Sequence, residues 1–440
     1  EDGEMIAEGL QLDDSWKGPR FGLVPSLPGE SGPLLTGSLL ARDVVPREDG
    51  ARSMVAWKPA VVRHGDVYWA FFTQYNPTYG EPWFLQGWIN AAVSRDMDVW
   101  QMKGPVLPAV SRPDWLSGRM LSASALSHDG NLYVYYAASS ILEPKVERIG
   151  LAVLEKNSTT WDRLPLKAVK TMEGYQRQVV PVVEPDSQWY DDVESLESRP
   201  QHPRYRGHLQ WRDPWVVGPV KRKFYMFISA SCADLSSPWR GCIGLAVADS
   251  PMGPWEVKEP ALIPMIPEED RIAGALESMF YELERPCVFE HHGQWHMLIS
   301  SPIINRNPRW KAARLVENRG ARLFHFVADR VHGPYEPFNG EAFPQVRDAA
   351  RTGLYGVMVV DAPPEEQQLS KGDAGKALLV IGGYDVRKHP GGKTIRHEMH
   401  GTLEVSHRYR LDWPNPRSRP VVAGRVPFGW KIDTYDMESG

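Results

Sequence analysis

Two glutamates stand two residues apart in Tyr281-Glu282-Leu283-Glu284-Arg285-Pro286, just ahead of the apolar Cys287-Val288-Phe289. On a regular strand, residues i and i+2 share a face, so Glu282 and Glu284 are expected to project together with Arg285 opposite. Carboxylates that share a face repel, and one member of such a pair can retain a proton near neutrality, as a general acid must. A second acid beside an arginine, Arg212-Asp213-Pro214, opens another apolar run, and Asp43 lies in a third, Leu39 to Pro46. These acids are far apart along the chain, so they form a site only if the fold gathers them.

The elements that must do so are strands. No long segment holds the i, i+3, i+4, i+7 apolar spacing, while short alternating runs recur between Gly, Pro and Asp punctuation. An internal repeat organises them. Leu245-Ala246-Val247-Ala248-Asp249 leads to Gly253-Pro254-Trp255-Glu256, and Phe326-Val327-Ala328-Asp329 leads to Gly333-Pro334-Tyr335-Glu336 with equal spacing. Ala92-Val93-Ser94-Arg95-Asp96 with Trp100 is a weaker copy. An acid-bearing strand, an aromatic strand and a strand followed by Gly-Pro-aromatic describe one blade of a β-propeller, which buries its faces only by stacking around an axis. The competing architecture is a β-sandwich. In a propeller the first strands line a central funnel, and Asp43, Asp213 and Glu284 all hold first-strand places. The expected layout is an irregular N-terminal arm, residues 1–38, packed on a single all-β propeller domain, residues 39–440. Residues 160–205, with the acidic run Asp191-Asp192-Val193-Glu194, are expected to form a surface excursion.

Composition narrows the function. The chain has 440 residues, a net charge of −5 and 42% hydrophobic content, so a large core is available and no basic footprint points to nucleic acid. No run of about eighteen apolar residues signals a membrane span. The 17 Trp and 16 Tyr are rich enough to serve both core packing and stacking on sugar rings. The three cysteines cannot form a closed disulfide set; a Cys232–Cys242 hairpin bridge or buried free thiols are the alternatives. His291, His292 and His296 lack a third spaced ligand, and His397, His400 and His407 are scattered, so no metal is expected.

Several segments together resemble glycoside hydrolase family 68, which contains levansucrases, inulosucrases and β-fructofuranosidases. Arg212-Asp213-Pro214 and Glu284-Arg285-Pro286 match two parts of its three-carboxylate pattern, with Asp43 ahead of them. Leu121-Ser122-Ala123-Ser124-Ala125 is similar to its Trp-Ser-Gly-Ser-Ala segment. Tyr175-Gln176, Gly333-Pro334-Tyr335 and Ile381-Gly382-Gly383-Tyr384 also have counterparts. The resemblance spans residues 40–410 and implies a five-bladed propeller that acts on β-fructofuranosyl bonds of sucrose-like carbohydrates. It implies Asp43 as nucleophile, Asp213 as transition-state stabiliser and Glu284 as general acid/base. Arg212 and Glu282 would hold sugar hydroxyls, Ser122 would orient the nucleophile, and Tyr384 would position Glu284 or substrate.

This chain departs from the pattern in places. The family's nucleophile sits in Trp-Asp-x-Trp, whereas Asp43 is flanked by Arg42 and Val44-Val45, and Asp14, followed by Trp16, is a rival. Ser301-Pro302 stands where levansucrases place an arginine for the glucosyl unit, leaving Arg306 or Arg309 to substitute. Tyr281 replaces an aspartate that binds calcium in some members, so neither a calcium site nor a cofactor is expected. A monomer or weak homo-oligomer is expected; the compartment stays open, with a secreted or periplasmic protein favoured by the resemblance alone. Two further readings stay open: an arabinanase-like propeller glycosidase, and a carbohydrate-binding propeller without catalysis.

Overall fold

The computed structural model describes residues 23–24, 34–36, 55–75, 88–95, 99–107, 115–171, 174–200, 207–271, 275–291, 293–302, 305–313, 323–338, 354–361, 378–384, 409–412 and 421–425. The chain forms two compact units: residues 1–122, 140–144 and 347–440 in the first, and residues 123–139 and 145–346 in the second.

In the first unit, β1 (Leu23–Val24), β2 (Leu34–Thr36), β3 (Val55–His64), β4 (Val67–Tyr75), β5 (Trp88–Ser94) and β6 (Val99–Leu107) form one sheet in the order β1-β2-β6-β5-β4-β3. The expected N-terminal arm therefore contains two short strands that extend the edge of an up-and-down meander. The strand expected over residues 39–46, with Asp43, lies outside the described residues.

The second unit carries the repeat. Its sheets, in chain order, begin with β7 (Met120–His128), whose first residues belong to the first unit, followed by β8 (Asn131–Ala138), β9 (Arg148–Leu154) and β10 (Asp162–Leu164). A hairpin, β11 (Leu166–Thr171) with β12 (Gly174–Val179), separates these from β13 (Trp211–Val220), β14 (Lys223–Ser231), β15 (Gly241–Ala248) and β16 (Glu256–Leu262). A third meander follows: β17 (Glu284–His291), β18 (Gln294–Ser300), β19 (Leu323–Ala328) and β20 (Glu336–Pro337). Back in the first unit, β21 (Leu354–Asp361), β22 (Leu378–Tyr384), β23 (Tyr409–Asp412) and β24 (Val421–Arg425) make another four-stranded sheet. One short α-helix, α1 (Pro308–Ala313), is present among the described residues.

Local sequence explains the meanders. Asp129 (φ 50°) and Gly130 (φ 78°) are the two turn residues between β7 and β8, the paired positive φ values of a type I′ hairpin. The strand after this turn is apolar on both faces: β8, Asn-Leu-Tyr-Val-Tyr-Tyr-Ala-Ala, is buried from Leu132 onward. The Gly-Pro-aromatic repeat lies in the connection between third and fourth strands. Gly253 and Gly333 share a φ of 87°, and the register is equal, with Val247 opposite Glu256 and Val327 opposite Glu336. Each aromatic ring docks on the second strand of the preceding sheet. Trp255 meets Tyr135 of β8 edge-on at 6.2 Å, and Tyr335 meets Phe227 of β14 edge-on at 6.0 Å. The repeat is thus a sheet-to-sheet packing device, and the architecture is an all-β, propeller-like fold.

Among the described residues of 160–205, part is less peripheral than expected. Tyr190 and Asp191 are buried, and the Tyr190 hydroxyl donates to the Lys258 carbonyl at 2.6 Å. Asp191 accepts from Arg240 Nε at 2.7 Å, an ion pair that anchors the excursion to the β14–β15 connection. Cys232, Cys242 and Cys287 are free and buried, and burial pushes the Cys232 and Cys242 thiols up.

Candidate functional site

A β-bulge at the head of β13 starts the site. Arg212 pairs with Ser229 and Trp215 with Phe227, so three steps on β13 answer two on β14 and Asp213-Pro214 is left outside the ladder. Proline is tolerated there because no ladder hydrogen bond is required of it. The head of β17 repeats the geometry: Glu284 pairs with Ser300 and Cys287 with Leu298, leaving Arg285-Pro286 as the bulge. Asp213 has φ 50° and Arg285 has φ 52°, so both bulges use the left-handed region.

The bulges undo strict alternation. Arg212 and Asp213 would point to opposite faces of a regular strand, yet Arg212 Nε lies 3.7 Å from Asp213 Oδ2. The Arg285 backbone N–H donates to the same oxygen at 3.2 Å, joining the two bulges. Glu282 and Glu284 do converge, but not because they share a strand face. The strand begins at Glu284, and Glu282 precedes it, held by Asn305 Nδ2 donating to Oε2 at 2.6 Å. Ser301 Oγ donates to the Glu282 carbonyl at 2.8 Å. Arg212 Nη2 lies between the two acids: it pairs with Glu282 Oε1 and sits 3.0 Å from Glu284 Oε1. The expected repulsion is thus offset by a guanidinium.

At its other end, Arg212 Nη1 donates to Glu147 Oε2 at 2.8 Å and lies 3.2 Å from His208 Nε2, which is 3.1 Å from the same Glu147 oxygen. Burial alone would lower the Arg212 guanidinium, but Glu147, Glu284 and Asp213 overcome it and hold it above its ordinary value. Burial lowers Arg285, against the pull of Asp213 and Glu284. Burial also pushes the Tyr281 phenol up. The Glu284 side chain is 16% exposed against 1% for Asp213 and 6% for Glu282, so it is the acid most open to solvent.

Close backbone approach fixes this segment. The Gly241 N–H donates to the Phe280 carbonyl at 3.0 Å, and a Cβ at 241 would come within 2.8 Å of the Tyr281 carbonyl oxygen. Only glycine lets the start of β15 press against the chain leading into Glu282.

The other expected site residues fall elsewhere. Ser122 is on β7 and Tyr384 ends β22, both in strand backbone; Asp43 and Asp14 lie outside the described residues. Arg306 is 1% exposed, its guanidinium 5.3 Å from the centre of the Phe324 ring. Arg309 Nη1 pairs with Glu277 at 2.7 Å. His296 stacks on His325, with Nδ1 3.0 Å from His325 Nε2. Among the described residues no three His, Cys, Asp or Glu side chains are grouped to hold a metal ion, and no helix is long and apolar enough to cross a membrane. Three contributors were missed from the sequence: Glu147, His208 and Asn305. None carries a local motif; Glu147 is simply an acid ahead of the apolar β9.

Two other first strands have the same bulge. On β3, Trp57 pairs with Thr73 and Ala60 with Phe71, so Lys58-Pro59 takes the register place of Asp213-Pro214 and Arg285-Pro286. On β21, Tyr355 pairs with Gly383 and Met358 with Ile381, and Gly356, with φ 58°, takes it.

Residues 59–237 match the Glycosyl hydrolases family 32 N-terminal domain. The fold is shared with an inulosucrase from Halalkalicoccus jeotgali bound to kestose, at 20% identity over 92% of this chain and 95% of that one, TM-score 0.54. It is shared with Bacillus subtilis levansucrase, at 12% identity over 97% and 96%, TM-score 0.56. A sucrose-6-phosphate hydrolase from Lactobacillus gasseri aligns at 13% identity over 82% of this chain and 60% of that one, TM-score 0.53. No curated protein matches at the level of sequence. The resemblance to family 68 is therefore supported at the coarser level of a shared propeller-like fold.

Proposed function

We propose that the protein is a retaining glycosidase or fructosyltransferase that acts on β-fructofuranosyl bonds of sucrose-like substrates, on a five-bladed propeller. The observation that carries this reading is the Arg212 fork, which gathers Asp213, Glu282 and Glu284 at two adjoining strand heads of a fold shared with an inulosucrase and a levansucrase. Asp43 is the nucleophile: its carboxylate attacks the anomeric carbon while the glycosidic C–O bond breaks and Glu284 gives its proton to the leaving oxygen. Asp213, ionised beside Arg212, favours the positive charge that develops on the fructosyl ring. Water or a sugar hydroxyl then attacks the covalent fructosyl intermediate, losing its proton to Glu284 and freeing Asp43. Arg212 and Glu282 hold sugar hydroxyls, Ser122 orients the nucleophile, Tyr384 positions Glu284 or the substrate, and Arg306 or Arg309 serves the glucosyl side.

The test is release of glucose and fructose from sucrose, raffinose and levan, with transfer seen as products longer than the substrate. Release by the native chain and its loss in Glu284→Gln support the reading; no release from any fructoside overturns it. A second reading, a carbohydrate-binding propeller without turnover, is favoured by one observation: the β3 bulge carries Lys58 where the β13 bulge carries an acid. Sucrose binding by calorimetry without any product would select it.

A further inference from the structure

We propose that Glu147 is a positioning residue for the candidate site: it fixes one end of the Arg212 guanidinium so that the other end stays aimed at Glu282 and Glu284. The clamp stands on geometry, while its purpose rests on the function proposed above. A guanidinium is a rigid plane with donors in fixed directions, so a partner that sets Nη1 also sets Nη2. Glu147 Oε2 accepts from Nη1 at 2.8 Å, and Nη2 reaches Glu282 and, at 3.0 Å, Glu284. Glu147 is 2% exposed, and in these hydrogen bonds its link to the two acids runs through Arg212.

Its own placement is secured by backbone. The Leu209 N–H donates to the Lys145 carbonyl at 3.0 Å, and Val146 bridges Leu209 in parallel, which sets residue 147 abreast of the approach to Arg212. A buried carboxylate is costly unless paired. Here its partners are Arg212 and His208, and His208 Nε2 sits within 3.2 Å of both, adding a second contact at the same guanidinium nitrogen. The titratable groups facing Arg212 are thus Glu147 and His208 at one end, Glu282 and Glu284 at the other, and Asp213 at Nε.

The test is crystal structures of the intact chain, Glu147→Ala and Glu147→Gln, with sucrose kinetics for each. In Glu147→Ala the expected result is Arg212 turned away, with Nη2 beyond hydrogen-bond distance of Glu284. Loss of one hydrogen bond to a charged group predicts a kcat lower by about 10- to 100-fold, with KM within about threefold. In Glu147→Gln the amide oxygen still accepts from Nη1, so Arg212 stays and most of the rate returns, which a purely structural role would not produce. Arg212 unmoved in Glu147→Ala overturns the proposal. Should that variant fail to fold, Glu147→Asp decides: Arg212 drawn toward the retreating carboxylate supports the clamp, and Arg212 unmoved overturns it. If the native chain turns over no fructoside, the proposed function falls, while the position of Arg212 in the variants still decides the clamp.

Discussion

The heads of β13 and β17 and the heads of β3 and β21 share one backbone device and differ in what they mount on it. All four strands advance three residues while their neighbours advance two. On β13 and β17 the bulged residue is charged, Asp213 or Arg285, and each is held in the left-handed region at φ 50° and 52°. On β21 it is Gly356, at φ 58°, and on β3 it is Lys58. A left-handed non-glycine residue costs about 1–3 kcal/mol, and such strain persists only where surrounding contacts hold it. Glycine removes that cost where no side chain has to be aimed. At Asp213 and Arg285 the holding contacts are identifiable: Arg212 beside Asp213, and the Arg285 amide on the Asp213 carboxylate. The bulge is therefore a general feature of this fold, and the charged pair is a local use of it.

The largest effect expected from this difference is chemical. If the β13–β17 pair is the reacting half, Glu284→Gln lowers kcat on sucrose by about 10²- to 10⁴-fold, the usual contribution of a positioned acid/base. Asp213→Asn should lower it comparably with little change in KM. Steady-state release of glucose reads both, and equal activity in Glu284→Gln and the native chain would dissolve the comparison.

The nucleophile sharpens it further. With Asp43 as the attacking group, Asp43→Ala abolishes turnover, while Asp14→Ala and Lys58→Asp leave kcat within about threefold. The opposite result, turnover that appears or rises only in Lys58→Asp, would mean that the β3 bulge is the third chemical position and that the native lysine has silenced it. Product assays on the three variants under one set of conditions separate these outcomes.

Asp213 and Glu284 were readable in the sequence because each sits before or within a short motif ending in proline, and proline is what a bulge tolerates. The Gly-Pro-aromatic repeat was readable for a similar reason: glycine at φ 87° and a ring to dock are both local requirements. The reason for convergence of Glu282 and Glu284 was not readable. Period-two reasoning put them on one strand face, whereas Asn305 and Arg212 hold Glu282 ahead of the strand. Asp191 looked like part of a solvated acidic run because its partner, Arg240, is 49 residues away in sequence. Glu147 was invisible for the same reason, lying 65 residues from Arg212. Long-range ion pairs leave no periodic trace in the chain; bulges and turns do.

Stability offers a third way to separate the two kinds of strand head. Removing Arg212 leaves Glu147, Asp213 and Glu282, all nearly fully buried, without their shared cation. Breaking a buried ion network from one side costs about 3–5 kcal/mol, so Arg212→Ala should unfold at markedly lower denaturant than the native chain. Arg212→Lys should recover only part of this, because an ammonium cannot present three edges to separate acids. A midpoint unchanged in Arg212→Ala would mean that the acids shed their charge or reach water, and that the network is weaker than its distances imply.

The smallest effect lies at the glycine head. Gly356 adopts φ 58° on β21. Alanine there must enter the left-handed region, at a cost of about 1–2 kcal/mol, whatever room its methyl finds. Gly356→Ala should therefore lower the unfolding midpoint modestly while sucrose turnover at saturating substrate stays near the native value. Gly356→Asn, with a residue type that enters this region more readily, should lose less than Gly356→Ala. That ordering is the informative part. If alanine and asparagine are equally tolerated, the backbone at 356 has relaxed out of the bulge and the four strand heads are not equivalent. If turnover falls along with stability, the β21 head contributes to chemistry after all, and the division between a charged, reacting pair and a plain structural pair must be redrawn.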